Sequence, residues 1–219
     1  MWGLCACGAK PAVEPTAAVT TATTTTATGE TTVTVSKVSG LITSVVDNGA
    51  EMLAAPVTPT IWRAPTDNDM KIQSKWYAQQ FDKMVVKCYG TSAKIEDKSV
   101  VITASVSLGA APVRPAVKMT LTYTFAKDCP VRVSCHAEVS NDAIWLPRFG
   151  FRFVLPENFE DITYFGHGPY ESYEDKRLAS RMGLFRTTAT ENFEHYVRPQ
   201  ENMAHADSRW MSVANSAGH

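Results

Sequence analysis

An all-β fold is predicted for this 219-residue chain by three features: short runs in which apolar and polar residues alternate, turn residues between those runs, and only one stretch with helical spacing. Alternation places every second side chain on one face of a pleated strand, so a half-buried strand is legible wherever it persists. The absence of long helical crossovers between strands argues against a parallel α/β sheet.

The elements are read in order. Residues 1–28 are expected to be a low-complexity linker or disordered start, because after Pro11 the segment is nearly all Ala, Thr, Val and Pro and has little bulky apolar surface to anchor it. Residues 29–219 are expected to form one sandwich domain. Short strands are predicted at 31–35, 41–46, 85–89 and 209–213. Residues 72–84 are the one helical candidate, since Ile72, Trp76, Tyr77, Gln80, Phe81 and Met84 approximate a stripe behind a capping Asp69.

Val100, Ile102, Ala104, Val106 and Leu108 define the inward face of a strand. Val117, Met119, Leu121, Tyr123 and Phe125 define a second, with Lys118 and three threonines outward. Val131, Val133, Cys135, Ala137 and Val139 define a third, and the link at 127–130 makes the last two a hairpin. Phe149, Phe151 and Phe153 are expected to line a further strand after the Leu146-Pro147 break.

A formal net charge of −1 leaves no basic field for a polyanion, so nucleic acid is not an expected partner. No run approaches the roughly 20 apolar residues of a membrane span. Cys5, Cys7, Cys88, Cys129 and Cys135 are odd in number and lack metal-ligand spacing, which suits reduced thiols. Together with a start that lacks the basic and apolar parts of a secretory leader, this gives a cytoplasmic expectation. No metal site is expected: Asp67-Asn68-Asp69 departs from the calcium-loop pattern, and the histidines show no i, i+4 pair.

Three dense polar segments interrupt the strands and are expected on loops. They contain Trp62, Arg63, Asp67, Asn68 and Asp69; then His167, Tyr170, Glu171, Tyr173 and Asp175; then Arg198, Gln200, Glu201 and Asn202. Aromatic rings beside carboxylates, amides and guanidinium groups are the inventory that stacks on a sugar and bonds its hydroxyls. The same inventory also serves an internal network, with Arg63 and Arg198 pairing with nearby carboxylates. Arg63 is expected to meet carboxylates of the 67–69 turn or the 171–175 loop. Glycosidase chemistry needs two flanking carboxyls. Glu171, Glu174 and Asp175 are instead expected to be solvated or bound by arginines such as Arg177 and Arg181, so no catalytic residue is assigned.

These segments carry a family resemblance. Gly40-Leu41-Ile42 with Asn48-Gly49-Ala50-Glu51, then Trp62-Arg63-Ala64-Pro65-Thr66-Asp67-Asn68-Asp69, Leu146-Pro147-Arg148-Phe149-Gly150, Phe165-Gly166-His167-Gly168-Pro169-Tyr170-Glu171-Ser172-Tyr173, and Tyr196-Val197-Arg198-Pro199-Gln200-Glu201-Asn202 occur in the order found in the C-terminal domain, or small chain, of the large β-galactosidases of glycoside hydrolase family 2. The resemblance implies an antiparallel β-supersandwich like that of galactose mutarotases, here truncated at its C-terminal end.

It also implies a partner, a catalytic barrel fused to this chain or separate from it, in an oligomeric enzyme acting on β-galactosides such as lactose. The family's catalytic glutamates belong to that barrel, so the isolated chain is expected to be inactive. Cofactors are expected to be none on this chain, with the family's magnesium and sodium held outside it. Met203-Ala204-His205 stand where the family has a glycine after the Pro-Gln-Glu-Asn block. Two other readings remain: a stand-alone carbohydrate-binding sandwich, and a mutarotase-like epimerase with His167 as acid and Glu171 or Glu201 as base.

Overall fold

A computed structural model of the chain describes residues 13–15, 19–26, 29–111, 113–127 and 129–218, with side chains described from residue 31 onward. These residues form two compact units. One contains the described residues up to Arg63 with Lys75–Leu155, and the other contains Ala64–Ser74 with residues 156–218. All named strand pairings are antiparallel. The chain is therefore all-β, as its alternation predicts.

In the first unit, β1 (Val13–Pro15), β2 (Val19–Thr26), β3 (Gly29–Ser36), β4 (Ile42–Asp47) and β5 (Ala50–Glu51) make a five-stranded sheet in chain order. Strands β1 and β2 fall inside the stretch expected to be a linker. Residues 19–26 are mostly threonine, whose branched Cβ favours extended backbone, and pairing with β3 supplies the ladder that composition alone does not reveal. The rest of that stretch, Cys5 and Cys7 included, lies outside the described residues.

After β6 (Ala55–Thr60) come β7 (Val85–Glu96), β8 (Ser99–Gly109), β9 (Val117–Ala126) and β10 (Arg132–Val139), which form a four-stranded sheet in the order β10-β9-β8-β7. β11 (Gly150–Val154) pairs with β6. The predicted inward faces of β8 and β9 form the core: Val100, Ile102, Ala104, Val106, Leu108, Val117, Met119, Leu121, Tyr123 and Phe125 are all buried. Burying each large apolar side chain is worth about 1.5–3 kcal/mol relative to exposure.

The turn between β3 and β4 packs against β8 at Gly40. Its φ of +70° suits glycine, and a Cβ there would lie 2.8 Å from Ala104 Cβ and 3.1 Å from Val106 Cγ1. Tyr123 Oη donates to the Gly40 carbonyl at 2.9 Å, satisfying a phenol that is otherwise buried among β8 and β9 side chains.

Two apolar faces differ from expectation. Val133 and Val139 are exposed on β10, because β10 is the sheet edge and strand pairing does not guarantee a covering layer. Phe149 and Phe153 are exposed as well, on and beside a strand with one partner. The helical stretch is also divided. α1 (Gln73–Ala78) ends before Gln80, whose φ of +55° is left-handed, and a 3-10 turn Phe81–Lys83 follows. Trp76 and Phe81 are buried while Tyr77 is exposed, so the short helix keeps only part of the predicted stripe.

The second unit is a three-stranded sheet in which β12 (Phe159–Gly168) lies between β13 (Arg181–Thr188) and β14 (Trp210–Asn215). Among the described residues no helix is long and apolar enough to cross a membrane.

Candidate functional site

The polar residues singled out by sequence fall in both units. In the first, Trp62 and Arg63 follow β6 and are half-buried. The Trp62 ring meets Tyr77 edge-on with centroids 5.5 Å apart, and the Arg63 guanidinium lies 5.4 Å from the ring centre of Trp76. Trp76 Nε1 donates to the Trp145 carbonyl at 3.2 Å. This is an aromatic and cationic stack built on a buried indole.

In the second unit, residues 67–69 form a 3-10 turn rather than an open loop. Asp69 is buried, and its Oδ2 accepts from the Thr66 backbone N–H at 2.7 Å and from the Thr66 hydroxyl at 2.9 Å. Asp69 thus closes its own turn instead of capping α1. Arg198 Nη1 donates to Asp67 Oδ2 at 3.2 Å, and the Asp67 N–H donates to the Pro199 carbonyl at 2.8 Å. The pairing expected of Arg198 is present. Asn68 is exposed.

The segment at 165–175 is partly strand. His167 stands near the end of β12, not on a loop, because residues 161–168 keep a continuous ladder with β13. Gly166 and Gly168 permit this in a tight place: a Cβ on Gly166 would meet Ser208 Oγ at 2.6 Å, and one on Gly168 would meet the Tyr164 hydroxyl oxygen. His167 Nδ1 lies 2.9 Å from Ser180 Oγ, which donates to Ser172 Oγ at 3.0 Å. Its Nε2 lies 3.8 Å from Asp207 Oδ2.

Glu171 organises the loop beyond β12, and its carboxylate side chain is only 6% exposed. It accepts hydrogen bonds from Lys176 Nζ, from Tyr196 Oη and, at 3.1 Å, from the backbone N–H of Met203. Burial acts to lower the Lys176 pKa, but its bonds to Glu171 and Tyr196 and the charge of Glu171 outweigh it and hold the ammonium above its ordinary value. Burial, then the bond to Glu171, pushes the Tyr196 phenol up.

The arginines expected at this loop act elsewhere. Arg177 pairs with Asp207, and Arg181 lies 5.7 Å over the Phe185 ring. Lys176 is nearer in sequence, and its flexible stem reaches back to Glu171 from the 3-10 helix Glu174–Ala179. Tyr170, Tyr173 and Asp175 are exposed.

Asn202 clamps the third segment. Its Oδ1 accepts from the Glu194 N–H at 3.0 Å, and its Nδ2 donates to the Glu194 carbonyl at 2.7 Å. Gln200 and Glu201 are half-buried beside it. His205 stacks on Tyr164 with centroids 4.0 Å apart. Burial lowers its pKa, against opposing contributions from the His167 carbonyl and Glu171.

Ser172, Ser180, Asn192, Tyr196 and Asp207 belong to this network but were not singled out as site residues by sequence, and His205 was noted only where the chain departs from the family pattern. Ser172 and Tyr196 lie inside the quoted blocks. Asn192 carries no local signal, because its role depends on how the chain returns. Among the described residues no group of three or more His, Cys, Asp or Glu side chains converges to hold a metal ion, and Cys88 and Cys135 are free thiols.

The strands and the tied polar loops define an all-β protein whose irregular segments are stitched by charged side chains. The family described as Beta galactosidase small chain matches residues 27–218, and the chain belongs to that family. A beta-galactosidase of Actinobacillus pleuropneumoniae is 29% identical over 187 residues, 85% of this chain and 19% of that protein. One from Staphylococcus xylosus is 29% identical over 180 residues, 82% of this chain and 18% of that protein. One from Lactobacillus delbrueckii subsp. bulgaricus is 30% identical over 187 residues, covering 84% and 18%. The chain therefore spans about a fifth of the length of these relatives.

Proposed function

We propose that this chain is the non-catalytic part of a β-galactosidase that hydrolyses terminal β-D-galactosides such as lactose. It supports a catalytic barrel, contributes to closing the galactoside pocket, and takes part in subunit assembly. The observation that carries this reading is that the match to the small-chain family covers residues 27–218, while the relatives are about five times longer. One part of a larger machine is the simplest relation between those two lengths.

The state of Glu171 supports a structural role for the loops. A carboxylate engaged by a lysine, a tyrosine and a backbone N–H has its oxygens committed, whereas glycoside hydrolysis requires one carboxyl to give up a proton and another to attack or activate water. On this reading the magnesium and sodium expected of such enzymes belong to other parts of the assembly. The reaction takes place in a cytoplasmic enzyme.

The test is complementation. Staphylococcus xylosus beta-galactosidase lacking the segment matched here is co-expressed with this chain, and the two are co-purified. Association with recovered turnover is the expected result. Tight galactose binding by the chain alone, with no association, would favour a stand-alone sugar-binding module.

A further inference from the structure

His205 lies where both of its ring nitrogens face oxygen atoms. Nδ1 is 3.1 Å from the carbonyl oxygen of His167, and Nε2 is 2.9 Å from Oδ1 of Asn192. A neutral imidazole has one N–H and one bare nitrogen, so it satisfies only one of these contacts. A carbonyl oxygen can only accept, which assigns the Nδ1 proton to the bond with His167. The contact between Nε2 and Oδ1 then requires a second proton on the ring. Alternatively the Asn192 amide turns over, presenting Nδ2–H to a bare Nε2.

That turn is not neutral for the surroundings. In the present orientation Asn192 Nδ2 donates to the Met203 carbonyl at 3.4 Å, and turning the amide would set oxygen against oxygen there. The other side of the same residue is the Met203 N–H that Glu171 accepts at 3.1 Å. Met203 also has a φ of +62°, a conformation that a non-glycine residue keeps only while its surroundings hold it. The protonation state of His205 is thereby wired, through one amide, to the loop that closes over Glu171.

We infer that His205 and Asn192 form a proton-operated switch: the imidazolium holds the Asn192 oxygen and keeps the amide on Met203, and the neutral ring turns the amide and releases Met203. The surrounding charges set the range in which it works. From β12 come the His167 carbonyl and the Tyr164 ring, whose face is attractive to a cation. From the following loop comes Glu171, whose negative charge favours the imidazolium and is countered by Lys176. Asp207, two residues on, is paired with Arg177 and lies 3.8 Å from His167. Burial of the His205 ring opposes protonation, so the charged form gathers below the ordinary histidine range. This inference goes beyond the proposed place of the chain in a β-galactosidase and does not depend on it.

The experiment is NMR of the full chain between pH 4.5 and 8, following His205 ring nitrogens and the Asn192 side-chain amide. The expected result is a neutral ring protonated on Nδ1 at high pH, a doubly protonated ring at low pH, and a change in the Asn192 amide resonances with the same midpoint. Asn192→Asp supplies a fixed acceptor and should raise the His205 midpoint by about one pH unit, a tenfold gain in proton affinity. If Asn192→Asp does not fold, the wild-type titration alone decides. His205 titrating while the Asn192 amide stays still, or a ring that carries its single proton on Nε2, would overturn the switch.

Discussion

Glu171 and Met203 are joined by a 3.1 Å hydrogen bond from the Met203 backbone N–H to the Glu171 carboxylate. They lie 32 residues apart, and the bond ties the loop beyond β12 to the loop before β14. With Lys176 and Tyr196 on the same carboxylate, one side chain satisfies groups from the 3-10 helix Glu174–Ala179 and from the connection between β13 and β14, neither of which has a strand ladder of its own.

Removing that carboxylate should loosen the second unit. Glu171→Ala is expected to cost about 1.5–3 kcal/mol, the range for hydrogen bonds to a charged group. Glu171→Gln, which keeps an acceptor oxygen, should cost less. Urea melts of the two variants beside wild type check the order. Equal, negligible losses would show that the carboxylate does not hold the loops.

A second contrast sets Leu121 of β9, in the first unit, against Leu184 of β13, in the second. Leu121 is 0% exposed and Leu184 is 59% exposed. Leu121→Ala should cost about 2–5 kcal/mol through the cavity it leaves. Leu184→Ala should stay within about 0.5 kcal/mol of wild type. A reversal of that order in denaturant melts would mean the buried face is misassigned.

Gly40 and Gly49 separate close packing from backbone conformation. Both have positive φ, but a Cβ at Gly49 would meet nothing within 4 Å, whereas at Gly40 it would press on Ala104 and Val106. Gly49→Ala should cost about 1–2 kcal/mol for the left-handed backbone alone. Gly40→Ala should cost about 1–3 kcal/mol more for overpacking of this turn against β8. Thermal melts of both variants give the difference directly.

Much of the first unit was legible because its strands are half-buried and alternate without interruption. The expected β9–β10 hairpin is present, and it pairs Leu121 with Cys135. What alternation does not convey is whether a face is covered, which is why Val133, Val139, Phe149 and Phe153 were expected inside and are exposed.

β12 and β13 were missed for a different reason. Gly166, His167 and Gly168 read as loop chemistry, yet the glycines serve close packing within a strand. The loop network was legible in residue type but not in partner. Arg198 meets a carboxylate as expected, and that carboxylate is Asp67, while Lys176 takes the place at Glu171 that was expected of an arginine. Pairings that depend on chain return over tens of residues have no local signature.

His205 makes stability depend on pH. Burial lowers its folded pKa below the ordinary value of 6.5. Above 6.5 both folded and unfolded states are neutral at this site, and its contribution is complete. As pH falls from there toward the folded pKa, the unfolded chain takes up a proton that the folded chain resists, so stability declines; below the folded pKa the slope from this group ends. Urea midpoints measured from pH 7.5 to 4.5 should fall less steeply in His205→Gln than in wild type. Parallel curves would remove His205 from the account.

The account rests on these loop carboxylates being structural and on the galactosidase chemistry lying elsewhere in the enzyme. The most direct measurement is turnover of a chromogenic β-galactoside by the purified chain alone, beside Glu171→Gln and Glu201→Gln. The account predicts no turnover above buffer for any of the three. Turnover by the wild-type chain that is abolished in a folded Glu171→Gln or Glu201→Gln variant would contradict it.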